Sequence, residues 1–384
     1  MRILHTSDWH FGKTAPRIGT YEQDQAYFLK QLGELIRREQ VDAVLCAGDV
    51  YDSGRVGGEA IRLYTEAATE ICIRQRKTFV VTAGNHDSAD RLTSCDELLE
   101  TAGLYVRGRL ASSLEPIGMR DEKTDVYALP FFQPGEAAAL FPDADIRTMT
   151  DAVSAVLDYI RSRWNPDRKH ILMAHLSVSG AELSESDRSA ANSTGADGHV
   201  VGGSASVRPE LFAGFDYTAL GHIHKPQQPA PRVCYSGAPM AYSFGREEEQ
   251  TKGAWIWDSE TEELSFVPFV PLHGRRSITC TYAEAVARTD LKETYLRLNL
   301  TDRLAGMELL SEMTERFPLL MEFSGMQPAG SGSATSLSSE EVHTLSSREI
   351  LACYMKDIYE MPLEEDLADL LIGALEKVEK EETP

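Results

Sequence analysis

Lys77-Thr78-Phe79-Val80-Val81-Thr82-Ala83-Gly84-Asn85-His86-Asp87 is the stretch that decides the fold. After Lys77, the six residues to Ala83 are β-branched, aromatic or small, the composition of a buried strand. Gly84 lets the backbone turn sharply at the strand's end, and an amide, an imidazole and a carboxylate follow at once. The same grammar recurs along the chain. Met1 to Thr6 runs into Ser7-Asp8-Trp9-His10, and Val41 to Ala47 runs into Gly48-Asp49-Val50-Tyr51-Asp52. Lys169 to Ala174 runs into His175, and Tyr217 to Leu220 into Gly221-His222-Ile223-His224. In an open α/β sheet the strand C-termini share one edge, and ligands bind there. Five such ends would gather Asp8, His10, Asp49, Asn85, His175, His222 and His224 at one place.

Mixed Asp, Asn and His donors without cysteine suit a hard-to-borderline divalent cation such as Mn²⁺ or Fe²⁺ and argue against a structural zinc site. Seven donors exceed what one such ion takes, and an aspartate can bridge two. Two ions about 3.5–4 Å apart can activate water and clamp a phosphoryl group. His86 stands beside a donor and need not be one; an imidazole there can protonate a leaving oxygen or stabilise charge on phosphorus. Asp87 is a candidate acceptor orienting His86, and Asp52 is either a supporting residue or a turn residue. His199, His273 and His343 sit in loops or flanks and have no assigned role.

The chain has 384 residues and a formal net charge of −22, with 42% hydrophobic residues. That length implies a large catalytic core with smaller appendages. The acidic balance argues against a freestanding nucleic-acid binder held by bulk electrostatics, but a nuclease needs only local positive charge, part of which divalent ions supply. Lys13, Arg17, Arg55, Arg91 and Lys225 lie near the motifs and are candidates for phosphate contacts. Six scattered cysteines form no close-spaced pair, which points to a reducing compartment. There is no signal-peptide pattern and no run of about 18 apolar residues, so the reading is cytoplasmic and not membrane-bound.

Helical periodicity predicts helices over 21–40, 59–76, 96–102 and 149–164. Residues 177–203 read as a long polar loop, and 233–269 as short strands closing the sheet in antiparallel fashion. The core is expected to span 1–272, with a small α/β module at 277–325 and a Ser/Gly/Ala-rich linker at 326–344. An amphipathic helix pair at 345–384 opens on a capping box at Ser346 and Glu349. Its apolar stripe has no core of its own to cover, which predicts a partner.

Asp8-x-His10, Gly48-Asp49-x-x-Asp52, Gly84-Asn85-His86-Asp87, His175 and Gly221-His222-x-His224 together resemble the calcineurin-like metallophosphoesterase superfamily. The flanking wording is similar to its double-strand-break repair nucleases. The resemblance implies a four-layer αββα sandwich with a capping domain and a C-terminal helical tail that binds a partner. It implies one ion on Asp8, His10, Asp49 and His224, and a second on Asp49, Asn85, His175 and His222, with His86 as the catalytic histidine. Mn²⁺ would be preferred, with Mg²⁺ or Fe²⁺ as substitutes. The implied partners are a coiled-coil ATPase, a second copy packed through 59–76 and 92–102 within a heterotetramer, and DNA as duplex ends, hairpins and single strands. The alternative is an esterase of small or cyclic phosphodiesters. Relatives often carry histidine where this chain has Asp52, so no role of that histidine is transferred.

Overall fold

In a computed structural model, residues 1–184, 187, 206–326, 348 and 368 are described. The expected linker and helix pair lie outside these apart from Met326, Arg348 and Ala368, as do His199, His343 and most of the 177–203 loop. The chain divides into a unit of residues 1–325 and a second of 326–384.

Apolar strands separated by amphipathic helices pair in parallel, because a crossover helix returns the chain to the same end of the sheet. Arg2–Thr6, Ala43–Ala47, Thr78–Thr82 and Leu104–Arg107 do so, in that order, and the antiparallel pair Gly253–Asp258 and Leu264–Pro268 extends the far edge. A second six-stranded sheet runs Gln227–Ala230, Val233–Tyr235, Tyr217–Gly221, Lys169–His175, Thr124–Leu129, Ile117–Gly118. The five motif-bearing strands therefore fall in two sheets, three in the first and two in the second.

Three apolar clusters define the layers. Leu4, Val44, Val81 and the inner stripe of the Glu22–Arg38 helix (Phe28, Leu32, Leu35, Ile36) form the outer core of the first sheet. Ile3, Leu45 and Val80 meet Ile171, Met173 and Tyr217 between the sheets. Leu172, Leu220 and the Met149–Arg161 helix (Val153, Val156, Leu157, Ile160) close the far side. Each fully buried side chain of this size contributes about 1.5–3 kcal/mol. The order is helix, sheet, sheet, helix.

Two local expectations are corrected. Val233–Tyr235 pairs in parallel with Tyr217–Gly221; it is Gln227–Ala230, folded back through the Pro231-Arg232 turn, that runs antiparallel. The 59–76 helix is α-helical over Gly58–Ala68 and continues as a π-helical turn over Thr69–Arg74.

Beyond residue 273 a three-stranded parallel sheet, Gly274–Cys280, Thr294–Leu300 and Leu320–Ser324, packs with helices Tyr282–Ala287 and Met307–Arg316 around Leu296, Leu298, Met313 and Phe317. Tyr295 and Met321 of this sheet share a buried cluster with Tyr21, Tyr242 and Phe244. Arg275 donates to Tyr21 Oη at 2.7 Å and lies over the Phe244 ring. The module thus sits directly on the segment that follows the first motif.

Candidate metal centre

Parallel register brings Thr6, Cys46 and Val81 to neighbouring positions, so the turns that follow these strands stand side by side. The turns interlock through the backbone: Asp8 N–H donates to Gly48 O, and His10 N–H to Asp49 O, both at 3.0 Å. Trp9, fully buried, donates its indole N–H to Thr6 Oγ1 at 2.9 Å and pins the first turn from below. Asp8, His10, Asp49 and His222 all have positive φ (53°, 46°, 50° and 96°). For non-glycine residues this conformation carries a cost of about 1–3 kcal/mol each and clusters at functional sites.

Two glycines show how close the edges of the sheets come. A Cβ on Gly221 would lie 1.8 Å from Ala47 O, and one on Gly84 would lie 2.0 Å from Asp49 Oδ1. Side chains are excluded there because the polar ends converge.

All seven expected donors meet at this edge. His10 Nε2 and His224 Nε2 are 3.0 Å apart. Asn85 Oδ1 lies 3.0 Å from both His175 Nε2 and His222 Nδ1. Asp49 stands between the two groups: Oδ2 is 3.8 Å from His10 Nε2 and 3.4 Å from His175 Nε2. The Asp8 carboxylate accepts the His222 backbone N–H at 3.0 Å. Donor atoms of Asp8, His10 and His224, and likewise of Asp8, Asp49 and His175, come within 4.8 Å of one another. So do those of His10, Asp49 and His86. Imidazole nitrogens and carboxylate oxygens converging in this way are a donor set that fits divalent cations, and Asp49 belongs to two of the three groups.

The outer contacts fix the rings. His175 Nδ1 donates to Ala47 O at 2.8 Å, which leaves Nε2 facing inward. His86 Nδ1 donates to Asp52 O at 2.8 Å, which fixes the orientation of the ring. The His86 backbone N–H donates to Asp49 Oδ1 at 2.9 Å. Asp52 Oδ1 lies 3.4 Å from His10 Nδ1 and accepts from Lys13 Nζ at 2.6 Å.

Asp87 does not orient His86. Its carboxylate accepts the backbone N–H groups of Gly84, Val50 and Tyr51 at 2.9–3.1 Å, tying the second turn to the third. Of the basic candidates, Lys225 pairs with Glu182, Lys13 is the Asp52 partner, and Arg17, Arg55 and Arg91 are exposed.

Electrostatics follow from burial and from these pairs. Burial alone would lower His175, but Asp49 beside it raises it to about 9. Burial, with the neighbouring His175, drives His222 down to about 4. Asp49 resists the effect of burial because of His175 and His10, which hold it well below the usual carboxylate range. Burial and the charge of Asp49 push Asp87 up to about 6 against its three backbone donors.

Sequence reasoning missed the supports behind the donors. Gln25 donates to His10 O at 2.8 Å, and Tyr242 to Trp9 O at 2.5 Å. Asp187, Glu247 and Lys252 surround His224. Glu247 sits in the run Arg246-Glu247-Glu248-Glu249, which reads as a solvated turn, yet it is buried. No local signal distinguishes it from its neighbours.

A two-sheet α/β sandwich carrying this donor set on its common edge defines a metal-dependent phosphoesterase, and the chain belongs to the calcineurin-like phosphoesterase family, which matches residues 1–226. It is a phosphodiester hydrolase. Within that class it is similar to SbcD, the D component of the nuclease SbcCD, of Staphylococcus epidermidis, 30% identical over 85% of this chain and 86% of that one. It is likewise similar to the SbcD component of the same nuclease in Staphylococcus saprophyticus, 31% identical over 78% of each chain.

Proposed function

We propose that the chain is the DNA-cleaving subunit of an SbcC–SbcD-type complex. The observation that carries the reading is the double donor set sharing Asp49, with the separate imidazole of His86 held beside it. The relatives' names supply the substrate class. Asp8, His10, Asp49 and His224 would hold one divalent ion, and Asp49, Asn85, His175 and His222 the other, Mn²⁺ foremost with Mg²⁺ or Fe²⁺ as substitutes. Bound ions would supply a nucleophile at neutral pH and Lewis-acid stabilisation of the phosphoryl oxygens. The chain's own contribution is positional. Asp87 locks the turns together, Asp52 O fixes the His86 tautomer, and His86 Nε2 is left to protonate the leaving oxygen or stabilise charge on phosphorus.

Around this centre, the three-stranded module would cap the cleft and shape DNA access. Lys13, Arg17, Arg55, Arg91 and Lys225 would contact phosphates. Ile61, Ile73 and Leu98, 49%, 58% and 69% exposed on neighbouring helical segments, offer an apolar surface to a second copy. Residues 345–384 would bind the base of the coiled coil of an SbcC-type ATPase. Among the described residues no helix is long and apolar enough to cross a membrane. The enzyme would work in the cytoplasm, on the nucleoid. The activities would be exonuclease on duplex ends and endonuclease on hairpins and single strands, in repair, recombination and replication.

The test is co-expression with an SbcC-type ATPase and assay of the complex with Mn²⁺ on a blunt duplex. ATP-dependent degradation that disappears in His86→Ala supports the reading. A chain that purifies alone and cleaves only small or cyclic phosphodiesters contradicts it.

A further inference from the structure

Three of the ligand histidines are braced from behind, but not alike. His175 Nδ1 meets a backbone carbonyl, Ala47 O, at 2.8 Å, and His10 Nδ1 faces one carboxylate, Asp52, at 3.4 Å. His224 Nδ1 faces two: Asp187 Oδ1 and Glu247 Oε1, each at 3.8 Å. These carboxylates come from separate parts of the chain, Asp187 from the connection after the Lys169–His175 strand and Glu247 from the Arg246–Glu249 turn.

Both are fixed independently of the ring. Asp187 accepts the backbone N–H of His224 at 3.1 Å and that of Ser184 at 2.7 Å. Glu247 accepts the backbone N–H of Tyr242 at 2.8 Å and lies 3.5 Å from Lys252 Nζ, which itself donates to His224 O at 2.8 Å. The side chains of Asp187, Glu247 and Lys252 are 5%, 0% and 6% exposed.

Burying three charges costs several kcal/mol per ion unless the geometry returns it, and well-packed apolar residues would stabilise the fold as well or better. The group is therefore poorly explained by stability alone. A carboxylate behind a metal-ligating histidine fixes the ring and raises its basicity. We propose that Asp187 and Glu247 are positioning residues that clamp His224 from two sides and aim its Nε2 at the ion position shared with Asp8 and His10, with Lys252 setting Glu247. This rests on the metal-centre reading above and adds three residues to it. It also ties an ion position to the connection that holds Ser184 and Asp187.

The experiment is Mn²⁺ titration of the full-length chain, followed by the electron paramagnetic resonance of free Mn²⁺, for wild type, Asp187→Asn and Glu247→Gln. The clamp predicts about 10–100-fold weaker binding at one of two sites, the other unchanged. It also predicts metal-free melting close to wild type and partial recovery in Asp187→Glu. Wild-type affinity at both sites in both variants overturns it. So does a lower metal-free melting temperature with unaltered Mn²⁺ affinity, which would make the group structural. Should Glu247→Gln fail to fold, Asp187→Asn decides alone. A wild-type chain that binds two Mn²⁺ but degrades no DNA in complex with the ATPase removes the nuclease reading and leaves the clamp to be judged on the titration.

Discussion

Gly84→Ala puts the shared ligand to a geometric test. Gly84 does not have a positive φ, so the substitution adds no conformational penalty of the left-handed kind and acts through space alone. The new methyl would lie 2.0 Å from Asp49 Oδ1, 2.4 Å from Asp49 N and 2.7 Å from Asp49 Cγ, where real contacts essentially never fall below 3.0 Å. Asp49 or the Gly84 backbone must therefore shift by about 1 Å. Asp49 Oδ1 holds the His86 N–H at 2.9 Å, and Oδ2 lies between His10 and His175, so the shift disturbs both ion positions and His86 together. Overpacking of this kind costs about 1–3 kcal/mol of metal-free stability. A misplacement of about 1 Å at reacting groups costs on the order of 100-fold in rate. The assays are Mn²⁺ titration, hydrolysis of bis(p-nitrophenyl) phosphate, and thermal melting without metal. The expected result is weaker binding of both ions, turnover reduced about 100-fold, and a modest loss of melting temperature. A variant that binds two ions at wild-type affinity and turns over within about twofold of wild type would refute the placement of Asp49 between them.

Other expectations separate the remaining roles. His86→Ala should keep both ions and lose about 10²–10⁴-fold in turnover; a lost ion, read by the same titration, would make His86 a ligand. His5 is fully buried against Tyr217 Oη and Leu220 O, and burial lowers it from 6.5 to about 3. The unfolded chain takes up that proton first, so stability falls as pH drops from about 6.5 towards 3, by about 2 kcal/mol from this group at pH 5. Urea unfolding at pH 7 and 5 should show a shallower acid loss in His5→Gln than in wild type, and an unchanged slope would assign the loss elsewhere. Removing residues 345–384 should abolish capture of the ATPase while hydrolysis of a small diester persists; an intact complex would place the partner surface elsewhere.

Much of the first sheet can be read from residues because its strands are continuous apolar runs that stop at polar turns. Thr78–Thr82 ending in Gly84-Asn85-His86-Asp87 is the clearest case. The same pattern marks the candidate donors, since a donor at a strand end is a local feature. What stays hidden is long-range. Nothing near His175 says that its strand belongs to a second sheet, or that Gly48 is bare because a Cβ there would lie 2.2 Å from His175 Nδ1. Val233–Tyr235 reads as antiparallel because short strands with turns between them usually are, and one intervening hairpin strand reverses that. Asp87 sits beside His86 in sequence, but the turn aims its carboxylate at three backbone amides instead. Asp187, Glu247 and Lys252 reach His224 from distant positions in the chain, and no spacing rule finds them.

The proposed chemistry stands on two divalent ions sharing Asp49 at this edge. Anomalous diffraction from crystals of the chain grown with Mn²⁺ tests it most directly. Two peaks about 3.5–4 Å apart are expected, one touching Asp8, His10 and His224, the other Asn85, His175 and His222, with Asp49 between and His86 touching neither. A single peak, or a second ion seated away from Asn85, would contradict it.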